Sequence, residues 1–156
     1  MQLSFRRLTL AIALLTAFSG TAVAADRPES TADVRISLHT LDGDVQQVDV
    51  NEIWRVRTTS TSDEPQGAVV IDFAFERLYV KETLDDVVKL IRSSHKIEKF
   101  TSPSGAPVYI LPEKVIGISR PIPSQHHPST KAIIIAREGQ QQVQETRDAV
   151  RDAIGK

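Results

Sequence analysis

The sequence predicts an α+β fold. It consists of two tandem related units, each an antiparallel β-meander of four to five short strands followed by one amphipathic helix, packed as a pseudo-twofold body. Three observations predict it. Short segments alternate apolar and polar residues, as in Val34-Arg35-Ile36-Ser37-Leu38. Apolar residues near the end of each half fall at helical spacing, Leu84, Val87, Val88 and Ile91 in the first half and Ala149, Val150, Ala153 and Ile154 in the second. The second half also repeats the pattern of the first at an offset of roughly 62–63 residues. Val80-Lys81-Glu82-Thr83 matches Val143-Gln144-Glu145-Thr146, and upstream Gly43, Val48, Ile53 and Val56 fall on Gly105, Ile110, Val115 and Ile118.

In the first unit, residues 34–94, the strand Val34–Leu38 runs to the turn signal Asp42-Gly43, where glycine supplies a positive φ without strain. A second strand returns over Val45–Val50. Asn51-Glu52 punctuates, and Ile53–Thr59 is a third strand rich in β-branched residues. Thr61–Gly67 is a polar loop. Val69–Phe75 is the strongest strand, with Val69, Ile71, Phe73 and Phe75 on one face and Asp72 facing solvent on the other. Glu76-Arg77 turns the chain into a short fifth strand, Leu78–Val80. Thr83 caps the helix, and Asp85 and Asp86 complement its N-terminal dipole.

The second unit, residues 95–156, places Ser104-Gly105 at the first turn and strands over Pro107–Ile110, Val115–Ser119 and Lys131–Ala136. The loop Pro121–Thr130 is proline-rich and resists regular structure. Glu138-Gly139 turns, and Thr146 caps the second helix. A unit of about 60 residues is marginal alone, so mutual burial of the two is physically motivated.

Before these units, Arg6-Arg7, the apolar run Leu8–Phe18 and the small residues Ala22-Val23-Ala24 read as a secretory signal peptide, residues 1–24, cleaved after Ala24. Residues 25–33 read as a disordered N-terminal segment. The expected location is therefore periplasmic or secreted, with no stable membrane anchor once the signal is removed. The chain has no cysteine, which excludes disulfides, thiolate metal sites and cysteine nucleophiles. Without Arg6 and Arg7 the 19 basic side chains become 17 against 20 acidic ones, a formal charge near −3. That balance leads to the expectation of no nucleic-acid partner, because phosphate backbones attract basic patches.

The residues Leu41-Asp42-Gly43, Asn51-Glu52-Ile53 and Tyr79-Val80-Lys81-Glu82-Thr83 through Ile91 resemble the small flagellar and swarming-motility proteins of the FlbD/SwrD type. The resemblance covers each half separately. It implies a shared fold and brings no catalytic residue, because that family's motif holds none. Its members are single units acting inside the cell, whereas this chain reads as doubled and exported.

No catalytic, cofactor-binding or metal site is assigned from the sequence, and no cofactor is expected. Glu82 and Glu145 recur at the start of each helix. They read as carboxylates that complement the dipole and accept from free backbone N–H groups; the alternative is an acid–base or metal pair in one cleft. His126-His127 reads as a solvated loop pair with no metal-like spacing to His39 or His95. Trp54, the only tryptophan, serves equally as a partner anchor or as closure of the core. The expected function is a non-enzymatic module binding a protein or small ligand. Ile135, standing where the first unit has Asp72, makes an outer face suited to the other half or to a partner chain, with a homo-oligomer as one form of it. The alternatives are an enzyme with a site at the junction of the repeats, using Glu82, Glu145, His126 and His127, and a motility or cell-envelope accessory protein.

Overall fold

The computed structural model describes residues 34–155, so the expected signal peptide and the segment 25–33 lie outside the described residues. Ten strands in three antiparallel sheets and two α-helices make up the described residues, an α+β fold. In chain order they are β1 (Arg35–His39), β2 (Val45–Asp49), β3 (Ile53–Thr58), β4 (Val69–Phe73), β5 (Glu76–Val80), α1 (Leu84–Arg92), β6 (Glu98–Thr101), β7 (Pro107–Ile110), β8 (Val115–Ser119), β9 (Ala132–Ala136), β10 (Gln140–Val143) and α2 (Arg147–Ile154).

The expected meanders are each divided. A single 3-10 turn, Val50–Glu52 before β3 and Pro112–Lys114 before β8, separates a hairpin from the three strands that follow. Asp49 fixes the first turn by accepting from the Asn51 N–H at 2.8 Å. The second contains Pro112, which cannot donate to a ladder and ends β7. The sheets are then β1-β2, β5-β4-β3-β7-β6 and β10-β9-β8. The β6–β7 hairpin joins the first three-stranded group through β7 on β3, with Arg55 opposite Ile110, Val56 opposite Tyr109 and Arg57 opposite Val108. A pseudo-twofold pair would require β1–β2 to extend β8 in return. It does not, so the strand pairing is serial rather than reciprocal.

Alternation along the strands builds two cores. Val69 and Ile71 of β4, Val56 of β3 and Tyr109 of β7 enter the first, with Leu38, Val48, Val87, Val88 and Ile91. Val108 and Ile110 of β7 and Phe100 of β6 enter the second, with Val115, Ile134, Val143, Val150 and Ile154. The five-stranded sheet is thus buried on both faces around β7.

Both helices start at a threonine. Thr83 Oγ1 accepts from the Asp86 N–H at 3.2 Å, and Thr146 Oγ1 from the Ala149 N–H at 3.3 Å. Gly43 and Gly105 take the positive φ expected at their hairpin turns. The turn between β4 and β5 lies at Ala74-Phe75, not at the expected Glu76-Arg77, and both residues have positive φ, 43° and 69°. Phe75 is therefore lifted off the strand face and 75% exposed. Two left-handed residues match the twist of a tight hairpin, but side chains with a Cβ resist that conformation. Replacing Ala74 by Asn and Phe75 by Gly is expected to stabilise the chain by about 1 kcal/mol. Urea unfolding would show it as a raised midpoint at unchanged slope.

Candidate functional site

The face of β3, β4 and β5 opposite α1 carries charge. Arg55 and Arg57 are two apart on β3, so they share a face, and Asp72 of β4 and Arg77 of β5 stand beside them in register. Asp72 is not solvent-facing as its strand pattern suggested; it is 4% exposed because the third sheet covers this side. Arg55 Nε donates to Asp72 Oδ2 at 2.8 Å, and Arg77 Nε to Asp72 Oδ1 at 3.2 Å. Arg55 Nη1 reaches the third sheet, donating to Gln141 Oε1 at 2.7 Å.

The loop between β3 and β4 returns Glu64 to the same cluster. Arg57 donates to it through both terminal nitrogens, at 2.9 Å and 2.5 Å, and the Ser60 N–H donates at 2.9 Å. The paired Arg57 guanidinium, opposed by burial and aided by the Ser60 N–H, holds the Glu64 carboxyl down at about 2. Burial lowers the Arg55 pKa, and the hydrogen bond to Asp72 counters it. The Glu64 hydrogen bonds raise that of Arg57 against its own desolvation.

A groove of about 470 Å³ opens beside this cluster. Arg55, Arg57 and Arg77 line one wall, and Ser102, Ser104, His127 and Gln140 stand among the remaining lining residues. No carboxylate lines it; Asp72 and Glu64 bond the guanidiniums without lining the groove. Arg77 is the most open of the three, its side chain 53% exposed. The arrangement is suited to holding an anion through charge-assisted, forked hydrogen bonds.

The residues singled out from the sequence lie elsewhere or serve structure. Glu82 Oε1 accepts from the His39 N–H at 2.8 Å and lies 2.7 Å from His39 Nδ1. Burial raises the Glu82 pKa, but the His39 hydrogen bonds outweigh it, and the net shift is downward. Glu145 Oε1 accepts from the Thr101 N–H at 2.9 Å. Each glutamate thus ties the start of a helix to the first strand of a hairpin. His126 Nδ1 accepts from the Ile122 N–H within its own loop. His127 reaches the groove, its ring bonded to Ser129. No hydrogen bond or ion pair joins any two of Glu82, Glu145, His126 and His127 among the described residues. Nor does any group of three His, Asp or Glu among the described residues form a cation cage. Trp54 closes the core at 3% exposure, with the Arg55 guanidinium 4.3 Å from its ring centre.

Sequence reasoning missed Arg55, Arg57, Asp72, Arg77 and Glu64. The signal was present as Arg55-Val56-Arg57, two cations of one face in a strand otherwise fit for burial.

No family model matches the chain, and no curated protein matches it. One solved structure to which the chain shows similarity is the LytTr DNA-binding domain of a putative methyl-accepting/DNA response regulator from Bacillus cereus, at 14% identity and a TM-score of 0.48, covering 78% of this chain and 97% of that one. The exclusion of nucleic acid, drawn from net charge, is withdrawn on the lining of the groove. The physical reason is that a chain-wide sum does not describe a local wall of three arginines.

Replacing Asp72 by Asn leaves Arg55 buried without a counter-charge. A loss of about 3–5 kcal/mol is expected in urea unfolding. For Glu64 the folded pKa lies below the unfolded value near 4.5. Its contribution is therefore present above pH 4.5 and is lost as pH falls towards about 2. Stability measured across that window should fall more steeply in the unmodified chain than in Glu64→Gln.

Proposed function

We propose that the chain is an exported, non-enzymatic binding module whose arginine-lined groove takes a ligand through an anionic group, a carboxylate, sulfate or phosphate. The observation that carries this reading is the groove wall itself: three guanidiniums and no carboxylate, with hydroxyls and an amide among the other lining residues. Asp72 and Glu64 hold Arg55 and Arg57 in place, so the donors are preorganised and little side-chain freedom is lost on binding. Export is supported by Arg6-Arg7, the apolar run Leu8–Phe18 and Ala22-Val23-Ala24.

The two series of elements are proposed to descend from one copied unit. Support comes from their common order, from the bulge at Ile53/Arg55 and again at Val115/Gly117, and from the threonine caps. The glutamate tethers support it further, since His39 and Thr101 hold the same place in their hairpins. The residues that carry the resemblance to the motility proteins, among them Asn51, Glu82 and Thr83, serve these junctions. The resemblance is thus taken as one of fold.

The test is calorimetric titration with inorganic phosphate, sulfate, a dicarboxylate and short DNA strands. Binding of at least one of these should weaken about tenfold in Arg77→Ala, the loss of one charge-assisted hydrogen-bond donor. The melting temperature should fall only slightly, since Arg77 is half-exposed and Arg55 still pairs with Asp72. Binding indifferent to Arg77, or no binding by any of the four, would overturn the reading.

A further inference from the structure

Granted that the arginine-lined groove holds an anion, we propose that His127 is a further binding residue of that groove and that its protonation strengthens anion binding as pH falls. Histidine is the side chain whose charge changes between about pH 5 and 8. Of the four histidines in the chain, His127 alone lines the groove. His39 is bonded to Glu82, His95 to Ser94 and Asn51, and His126 to Ile122 of its own loop. Every other residue lining the groove is an arginine or carries no charge to change.

The hydrogen bonds of the ring suit both of its charge states. The Ser129 N–H donates to His127 Nδ1 at 3.2 Å. A backbone N–H only donates, so Nδ1 accepts, and the neutral ring carries its proton on Nε2. No hydrogen bond engages Nε2 among the described residues, which leaves an N–H donor for a ligand. A second proton goes to Nδ1. Ser129 Oγ lies 2.8 Å from that nitrogen and donates its own hydrogen to the Pro103 carbonyl at 3.0 Å, so its lone pairs are available to the new N–H. Ser129 thus serves the neutral ring through its N–H and the charged ring through its Oγ.

The proline-rich loop that carries His127 is tied down. The His127 N–H and Thr130 Oγ1 both donate to Gln142 Oε1, at 3.1 Å and 2.8 Å. Gln144 Nε2 donates to the Ser102 and Pro103 carbonyls at 3.0 Å and 3.2 Å, and Gln141 accepts from Arg55. One run of glutamines therefore positions both the arginines and the histidine, and little freedom is lost on binding. The charged groups that share the groove with the ring are Arg55 and Arg57 from β3 and Arg77 from β5. The turn between β6 and β7 and strand β10 contribute Ser102, Ser104, Gln140 and Gln141, none of which titrates. An imidazolium is thus a fourth cation in a wall without a carboxylate, and an incoming anion satisfies it. The complex then holds the ring proton more tightly than the free chain does. By linkage, the added affinity is present at low pH and is lost as pH rises.

The test is calorimetric titration of the chain with sulfate at about pH 5.5 and about pH 8, a range in which sulfate keeps its charge and histidine does not. Affinity should be about tenfold higher at the lower pH, the difference between a charge-assisted and a neutral hydrogen bond. His127→Gln keeps an N–H donor but takes no proton, and it should bind sulfate equally at both pH values. His126→Gln should keep the pH dependence of the unmodified chain. Repeating the titration midway, in buffers of different ionisation heat, should show proton uptake on binding that His127→Gln abolishes. Sulfate binding that ignores pH, or a pH dependence that survives in His127→Gln, would overturn the assignment of His127 and leave the anion-binding groove standing. Absence of sulfate binding at both pH values would overturn it as well, and the remaining anions would then decide the groove separately through Arg77→Ala.

Discussion

The pairing of β7 with β3 is the constraint on which the rest of the molecule depends. Through it one four-residue strand serves two cores at once, Tyr109 turning to one side and Val108 and Ile110 to the other. A sheet buried on both faces cannot carry the simple alternation of a half-exposed one, and β7 accordingly has no exposed residue. A half of about 60 residues would be only marginally stable alone. The shared strand removes that difficulty by placing the hairpin of one half inside the wall of the other.

The same geometry explains why charged residues lie between the second and third sheets. Where β6 and β7 supply Phe100, Val108 and Ile110, the layer is apolar. Further along the sheet, β3, β4 and β5 present Arg55, Arg57, Asp72 and Arg77 instead. Buried ions cost desolvation that their mutual attraction must offset, and a hydrophobic layer of equal volume would be at least as stable. Retaining them is intelligible if the open end of the layer is used. The guanidiniums reach the groove, whereas their carboxylate partners do not line it.

Much of the local structure was legible in the sequence. Asp42-Gly43, Ser104-Gly105, Thr83 and Thr146 act as short-range chemistry says they must, because each effect is settled within four residues of backbone. β6 and β10 were not read as strands. Glu98-Lys99-Phe100-Thr101 has one buried apolar residue, and Gln140-Gln141-Gln142-Val143 has one, at its end. Their pairing is supplied by neighbours, β7 and β9, whose own patterns are strong. The turn at Ala74-Phe75 escaped because it lacks the glycine or asparagine that such turns favour. Asp72 escaped for a different reason. Alternation correctly assigned it to the face opposite Ile71, but a strand does not say whether a second layer covers that face.

That last distinction also governs the site. Net charge is a sum over the whole surface, while a ligand meets only the few groups within about a Debye length, roughly 8–10 Å. Here the carboxylates nearest the groove are consumed behind it, each holding a guanidinium by hydrogen bonds. Their charge enters the chain-wide total in full, yet they contribute no acceptor to the wall. A chain with a formal net charge of −1 can therefore present a cationic face, and the sign of the sum carries no information about what that face holds. The informative pattern was Arg55-Val56-Arg57 with Arg77 on the same face: three cations share two carboxylates, Asp72 and Glu64, which leaves Arg77 half-exposed.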